Sequence, residues 1–220
     1  ISSPNTGIGI IAGYVGLAAG AENYTGKITN CYTTGVLKGS GAAGGIGGVL
    51  GGSGYIKNCY SGATVIDQID GNAGKAGGII GRVNGNASGS SIENCYTSGD
   101  INAIGGGNAG GIVGKVDGGK LVIKNCIAWN SMLVSTDKAK VGRIVGGTAN
   151  ATYENCYAYD GVILKAGEAT FTVSDETSPS GSSFQGVAKS ANELKNTVIN
   201  WDSSLWKEGS NGYPVFKWSK

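Results

Sequence analysis

Histidine is absent from this chain of 220 residues. Its absence removes the side chain that most often serves as a general base and most often binds metals. Catalysis by Ser-His-Asp or Cys-His groups is therefore excluded within this sequence, and so are zinc sites built with histidine.

Charge and proline are also scarce. Charged residues make up 15% of the chain, the net charge is +2, and there are 3 prolines. Because no basic stripe exists, we expect no binding of nucleic acid. No apolar run approaches the ~18 residues of a membrane-spanning helix, so no span is expected. Glycine supplies 42 residues, but without the Gly-X-Y triplet of collagen, and the 40% of hydrophobic residues argue against disorder.

Every cysteine of the chain directly follows an asparagine. The steps between these cysteines are 28, 36, 31 and 30 residues, and the dipeptides are Asn30-Cys31, Asn58-Cys59, Asn94-Cys95, Asn125-Cys126 and Asn155-Cys156. A glycine-rich block recurs in the same phase at 44–48, 77–81 and 110–114, with degenerate copies at 9–13 and 142–146. A repeat of this period predicts stacked units that bury their apolar faces against their neighbours.

Each unit is predicted to contain three short strands. They are the glycine block, the Ile-x-Asn-Cys-Tyr segment and a Ser/Thr-Gly-x-Val/Ile segment. This pattern predicts an all-β fold, a right-handed parallel β-solenoid of about five coils over residues 1–173. In-phase glycines are expected at the corners, where positive φ or close backbone approach is needed. Residues 17–25 are expected to protrude as a loop.

The asparagines and cysteines are predicted to form two structural ladders. The isoleucine and the cysteine of a unit differ by three positions, so a bend at the asparagine is needed to point both inward. Asparagine tolerates left-handed backbone, and its amide can bond the next asparagine one coil away. We expect an asparagine ladder at a corner beside buried, reduced thiols, since in-register strands suit disulfide torsions poorly.

The composition changes after residue 173. Residues 174–220 are predicted to form a loop, a short helix from the capping box of Ser190 and Glu193 to about Asn196, and an aromatic cap. A cap is expected because the end of a solenoid exposes apolar core. A sugar-stacking platform is the alternative for the aromatic residues, which are Trp201, Trp206, Tyr213 and Trp218.

The repeated unit, Gly-Gly-Ile-Val-Gly followed by Ile-x-Asn-Cys-Tyr-Thr/Ser-x-Gly, resembles the GLUG-motif repeat of bacterial secreted and surface proteins. These include immunoglobulin A peptidases and large adhesin-like proteins. The resemblance covers about residues 7–165 and the Trp- and Tyr-Pro-containing tail, with departures at Ala12, Ile127 and Arg143. It implies a non-catalytic repeat region that is extracellular or on the bacterial cell surface, and it defines no ligand.

Six carboxylates are candidates for a polysaccharide-degrading site: Asp67, Asp70, Glu93, Asp100, Asp117 and Glu154. No pair is marked to converge at the ~5 to 9 Å that glycoside hydrolysis needs. Glu93 and Glu154 share a repeat position with Lys57 and Lys124, so cross-strand ion pairs explain them. The glycine block lacks the aspartate of repeated calcium loops. We predict no cofactor and no metal site, and a single calcium at residues 67–72 stays open.

A tyrosine follows the cysteine in four units, at Tyr32, Tyr60, Tyr96 and Tyr157. Such a stripe either binds a glycan or protein from the host or the environment, or stabilises the strands as an aromatic ladder. We therefore predict a non-catalytic module of a larger surface protein, for adhesion, for ligand binding or as a spacer. The alternatives are a carbohydrate-active β-helix enzyme and a structural subunit that stacks end to end.

Overall fold

A computed structural model confirms the predicted all-β solenoid. Strands of one coil pair in parallel with the equivalent strands of the next, through about five coils. In the described part of the chain no helix is long and apolar enough to cross a membrane. The residues that the structure describes are 2–19, 22–68, 74–84, 88–147, 151–174 and 185–219.

The first three coils contain sixteen strands, and β7 runs from coil 1 into coil 2. Coil 1 contains β1 (Ser2–Gly9), β2 (Ala12–Val15), β3 (Leu17–Ala19), β4 (Glu22–Tyr24), β5 (Lys27–Thr29), β6 (Tyr32–Thr33) and the start of β7 (Val36–Gly44). Coil 2 continues with β8 (Gly47–Leu50), β9 (Tyr55–Lys57), β10 (Tyr60–Ser61) and β11 (Thr64–Asp67). Coil 3 contains β12 (Lys75–Gly77), β13 (Ile80–Val83), β14 (Ser88–Glu93), β15 (Tyr96–Thr97) and β16 (Ile101–Ala103).

The last two coils repeat this order. Coil 4 contains β17 (Asn108–Gly110), β18 (Val113–Val116), β19 (Lys120–Lys124), β20 (Ile127–Ala128) and β21 (Met132–Ser135). A 3-10 turn (Lys138–Lys140) leads into coil 5, which contains β22 (Val141–Gly142), β23 (Val145–Gly147), β24 (Ala151–Glu154), β25 (Tyr157–Tyr159) and β26 (Ile163–Ala166). The tail contains β27 (Ala169–Phe171), β28 (Val187–Lys189), α1 (Ala191–Trp201), β29 (Trp206–Glu208) and β30 (Pro214–Phe216).

Each full coil contains five short strands rather than the predicted three, because the repeated motifs lie across bends. In coil 2, Gly44 ends β7 and Gly47 begins β8, so the glycine block spans a corner. The asparagine separates β9 from β10 in the same way. The insertion predicted to protrude as a loop forms the antiparallel hairpin β3–β4.

The inward side chains form two apolar clusters. The larger contains the middle isoleucine of the glycine block together with the cysteine row, and Ile46, Ile79, Ile112 and Ile144 are all 0% exposed. The smaller lies under β11 and its equivalents and contains Val65, Ile101, Leu133 and Leu164.

Glycine lets two sheets approach closely between these clusters. A Cβ added to Gly81 would lie 2.5 Å from the backbone nitrogen of Ala43, and one added to Gly114 would lie 2.9 Å from the backbone nitrogen of Ala76, in each case a residue of the facing sheet. Among the described residues, positive φ angles fall on other glycines, such as Gly35 and Gly41. Of the two reasons predicted for the in-phase glycines, close approach is therefore the one that applies here.

The returning chain closes the coil-5 end. β28 pairs with β25 as a sixth strand of that sheet. The Arg143 guanidinium donates to the carbonyl oxygens of Gln185 at 3.0 Å and Gly186 at 2.8 Å, and the Arg143 amide donates to the Gln185 side chain. A Cβ on Gly186 would meet Ile144 and Cys156, so this segment lies directly on the core. The departure from glycine at 143 thus falls in the last coil, where arginine holds the closing segment.

Candidate functional site: the tyrosine ladder and the C-terminal flap

The asparagines lie at a corner in left-handed conformation. Their φ values are between 50° and 55°, at Asn30, Asn58, Asn94, Asn125 and Asn155. From coil 2 onward, each amide nitrogen donates to the amide oxygen of the asparagine one coil earlier, at 3.0 to 3.2 Å. This bend turns the preceding isoleucine and the following cysteine to the same interior, as the spacing predicts.

All five cysteines carry free thiols, and they lie in one row. Cys59, Cys95, Cys126 and Cys156 are buried, and Cys31 in coil 1 is half-buried. Each thiol donates to the carbonyl oxygen two residues earlier, at 3.3 Å for Cys59 and 3.2 Å for Cys95. Burial raises the pKa of the Cys95 thiol well above its ordinary value, so it is unreactive in the folded protein.

The tyrosine row forms a stacked aromatic ladder on the outer side of one sheet. The ring centroids of Tyr32 and Tyr60 are 5.0 Å apart, as are those of Tyr60 and Tyr96, with interplanar angles of 10° and 6°. Parallel pairing in register places these rings above one another. Ile127 continues the row in coil 4, and Tyr157 follows in coil 5, where the Lys189 ammonium lies 4.0 Å from its ring centre.

A helix and a hairpin cover this ladder. We call residues 190–219 the C-terminal flap; it consists of α1 and the antiparallel pair β29–β30. The Ser190 and Glu193 capping box opens α1 as predicted, but the helix continues to Trp201 instead of ending near Asn196. Its extra turn carries Val198, which is buried together with Leu194. Leu194 and Val198 are four residues apart, a spacing that places both on one face of a helix and that the sequence alone shows.

The flap presents its own aromatic rings to the tyrosines. Trp206 lies 5.9 Å from Tyr60 and 5.8 Å from Tyr96, and Phe216 lies 5.3 Å from Tyr60. The Tyr96 hydroxyl donates to the carbonyl oxygen of Pro214. Tyr213 packs edge-on against Trp129 at 4.7 Å. The predicted aromatic C-terminal element is present, but it lies along the flank of the solenoid and not over its end.

The flap determines which tyrosines can meet a ligand. Tyr60 is 7% exposed and Tyr96 is 1% exposed, whereas Tyr32 is 40% exposed. Burial raises the pKa of Tyr60 to about 12, with the neighbouring Tyr32 adding to the shift, and it raises the pKa of Tyr96 further. A continuous tyrosine stripe is therefore not available to a glycan. At the coil-1 end of the ladder Tyr32 and Trp218 stay exposed, and their ring centroids are 5.9 Å apart.

The candidate carboxylates that the structure describes are mostly held by neighbours. Glu93 pairs with Lys57 at 3.6 Å and Glu154 with Lys124 at 2.7 Å, as the shared repeat position predicts. Asp117 pairs with Arg82 and with Lys115, and the hydrogen bonds and charges of these two cations lower its pKa against the opposing effect of burial. The buried Asp67 accepts from the amide of Gly41 at 3.2 Å. Asp70, and most of the segment considered for calcium, lie outside the described residues.

The remaining surface features are shallow. One groove of ≈ 500 Å³ is lined by Lys120, Leu121, Val122, Ala151 and Thr152 and contains no carboxylate. The described residues contain no group of three or more His, Cys, Asp or Glu side chains that could hold a metal ion.

Comparison with known proteins identifies one informative relative. No family model matches the chain, and neither does any curated protein. The chain is similar to a crystal structure at 1.30 Å resolution of "a putative immunoglobulin A1 protease from Bacteroides ovatus", with 51% identity and a TM-score of 0.87. The match covers 100% of this chain and 66% of that one, so this chain spans just under two thirds of its relative's length. The resemblance to the GLUG repeat itself stays a prediction.

Proposed function

We propose that this chain is a non-catalytic repeat module of a larger secreted or cell-surface protein, in which it serves as a rigid spacer. Its coils are held in register by the asparagine, cysteine and tyrosine ladders, and five coils at ~4.8 Å each give a rod of about 24 Å. The observation that carries the proposal is the engagement of four of the six candidate carboxylates, Asp67, Glu93, Asp117 and Glu154, in ion pairs and a backbone hydrogen bond.

Proteolysis is the function that the name of the similar crystal structure favours. A serine or cysteine protease needs a base near its nucleophile, and this sequence contains no histidine. The cysteines, moreover, form a row of which four members are buried. These observations disfavour a protease with a histidine base in this chain, so we infer that cleavage of immunoglobulin A1 by the whole protein would use residues outside this chain, and the module would hold that site away from the cell.

Ligand binding at the accessible aromatic rings is the second candidate function. Tyr32 and Trp218 are both partly exposed and tilted by 46°, so together they offer two apolar faces that a sugar ring could contact. The exposed Asn30 lies two residues from Tyr32 and can supply hydrogen bonds.

A screen of immunoglobulin A1 and of a polysaccharide panel tests these functions together. The samples are scored for retained ligand, for cleaved heavy chain and for new reducing ends. We expect no product from this chain. Steady product release that is abolished by Asp100→Asn would overturn the non-catalytic assignment.

Retention of a polysaccharide would favour the second candidate under one condition. It must be lost with Tyr32→Ala and Trp218→Ala, and kept with Tyr14→Ala, an exposed tyrosine elsewhere on coil 1. Circular dichroism of each variant shows whether the fold is intact.

A further inference from the structure

Coil 1 leaves exposed an isoleucine whose equivalents are buried in every later coil, and two aromatic rings lie exposed at the same end of the solenoid. Ile11 is 43% exposed, while the four later isoleucines of its row are 0% exposed. Tyr32 is 40% exposed at the end of the stacked ladder. Trp218 is 57% exposed, although it stacks on Phe216 at 4.8 Å with an interplanar angle of 13°. We call the surface formed by Ile11, Asn30, Tyr32 and Trp218 the coil-1 edge.

The backbone strands at this edge pair with another strand on one side only. Within the described residues, β2, β5 and β6 each pair with coil 2 and lie at the margin of their sheets. The asparagine ladder also ends here: Asn30 accepts from Asn58, while its own amide nitrogen occupies the position from which each later asparagine donates to the coil before it. Strand edges and ladder ends of this kind favour the addition of another strand.

The opposite end of the molecule restricts what can occupy this edge. A coil that continues these sheets in parallel must pair with coil 1 through the side that faces the next coil in the array. In a second copy of this chain, the strands that offer this side are those of the coil-5 end. There β28 covers β25, and the segment that Arg143 holds lies on Ile144 and Cys156, whereas β22, β23 and β24 lie at the margins of their sheets within the described residues. A second copy that stacks head to tail would meet β28 where its own β6 needs β25, so a further coil fits the coil-1 edge better than a second copy, and the end-to-end stacking subunit stays an alternative for the test below.

We propose that the coil-1 edge is a docking surface for one further coil of parallel β-solenoid. This coil would place an aliphatic side chain on Ile11, an aromatic ring on Tyr32 and against Trp218, and an asparagine oxygen near the Asn30 amide. Successive tyrosine rings of the ladder lie 5.0 Å apart, and an aromatic ring of the added coil would lie at the same distance from Tyr32. The similar crystal structure leaves room for such a unit, since about a third of its chain lies outside the match.

The chain itself supplies the probe. Ser2 pairs with Ser40, and Asp67 pairs with the preceding residue, Gly39, from the other side, so Ser2 takes the place in the repeat that directly follows Asp67. A second copy of residues 40–66 placed directly before Ile1 therefore enters in phase. The matched control is the same fusion with aspartate at the copied positions of Ile46 and Ile56, whose equivalents in coil 2 are fully buried.

We expect the added copy to resist limited proteolysis, and the labelling rate of Cys31, measured by peptide mass spectrometry, to fall by about tenfold. The aspartate control should be trimmed back to Ile1, with Cys31 labelled as in the parent chain. Equal trimming of both fusions would overturn the proposal.

Two other results would overturn it in favour of a different occupant. The first is a dimer of the parent chain in sedimentation that Tyr32→Ala abolishes, which would mark the edge as an interface between two copies. The second is polysaccharide retention that depends on Tyr32 and persists in a fusion whose added copy is trimmed. The docking proposal and the proposed function can also fail separately. If the added copy resists proteolysis and the chain cleaves immunoglobulin A1, the docking proposal stands and only the non-catalytic function is overturned.

Discussion

A single asparagine sets the corner of every coil. The left-handed φ that it adopts is unfavourable for most residues, and its amide then joins a ladder that runs through all five coils. Both properties were predictable from the sequence, because Ile and Cys three positions apart cannot face one interior without a bend. The repeat makes this inference strong, since the same local problem is solved the same way five times.

Substitutions at Asn94, in the middle of the ladder, can separate the contributions that the left-handed backbone and the amide hydrogen bonds make to stability. Asn94→Ala should lower the free energy of unfolding by roughly 2–3 kcal/mol, because alanine disfavours the left-handed region and the amide hydrogen bonds on both sides are lost. Asn94→Gly is the matched control: it loses the same hydrogen bonds but tolerates the φ of 50°, so a smaller loss is expected. Urea unfolding measures both, and equal losses would show that the backbone conformation contributes nothing.

Tyr60 should make the protein sensitive to alkali. Its pKa is raised from 10.0 to about 12 by burial under the flap. Because the folded state holds this proton more tightly than the unfolded chain, the stabilisation is complete below pH 10 and is lost as the pH rises toward 12. Tyr60→Phe keeps the ring stack and should show a shallower loss of stability over this range in urea titrations. Identical pH profiles for the two proteins would contradict the assignment.

At the scale of elements, glycine determines how closely the sheets pack. The sheet that contains β8 and β13 lies against the sheet that contains β7 and β12, and the added-Cβ distances at Gly81 and Gly114 leave no room for a side chain. The sequence predicted that these glycines matter, but it could not distinguish corners from a sheet contact, since both recur with the same period.

Gly81→Ala should therefore be far more disruptive than an alanine at a roomy glycine. The new methyl group would meet the backbone of Ala42 and Ala43 at 2.5 to 2.6 Å, so whole strands would have to separate, and a loss of about 3 kcal/mol or more is expected. Gly62→Ala is the control, because its Cβ would find only ordinary contacts of 3.5 Å or longer. Thermal melts that shift equally for both variants would contradict the sheet contact.

The flap shows where prediction from the sequence stops. The sequence predicts an aromatic cap from these residues, but it does not predict that they pack on the tyrosine ladder. Tyr96 and Pro214, which form a hydrogen bond, are 118 residues apart, and no repeat relates them. The tyrosine row offered two uses, and only the three-dimensional contact decides that Tyr60 and Tyr96 are covered. The sequence does not single out Phe216 or Trp129, because neither occupies a position at which an aromatic residue recurs in the repeat.

Trp206 should contribute most of the flap's binding to the ladder. It is 1% exposed and contacts Tyr60, Tyr96 and Phe216, so Trp206→Ala should cost about 3–5 kcal/mol and expose a flank that binds apolar dyes. Trp218→Ala serves as the control, because this residue is 57% exposed and should change stability by under about 1 kcal/mol. End-to-end association of Trp206→Ala without flank exposure would contradict the lateral position of the flap.

The whole molecule has two unlike ends. At the coil-5 end the returning chain covers β25 and lies on Ile144, whereas the coil-1 edge presents the same rows without a cover. The difference depends on one substitution in the repeat. Earlier coils need glycine at the position of Arg143, because the Cβ of Gly78 or Gly111 would collide with the carbonyl oxygen of the next coil at 2.1 to 2.2 Å. The last coil has no such neighbour, so a long side chain fits there and can bind the returning chain.

Arg143→Gly should therefore restore the repeat and open the end. The two guanidinium hydrogen bonds to the carbonyl oxygens of Gln185 and Gly186 are lost, and only the bond from the backbone amide of residue 143 to the Gln185 side chain is kept. The amide of Val187, which donates to the carbonyl oxygen of Cys156 at 3.1 Å, should therefore exchange with solvent on the order of tenfold faster or more. Arg82→Gly, on the flank, removes an arginine that does not touch this segment and should leave Val187 protected. Unchanged exchange at Val187 in Arg143→Gly would mean that strand pairing alone closes the end, and the two ends would then differ only through the tail.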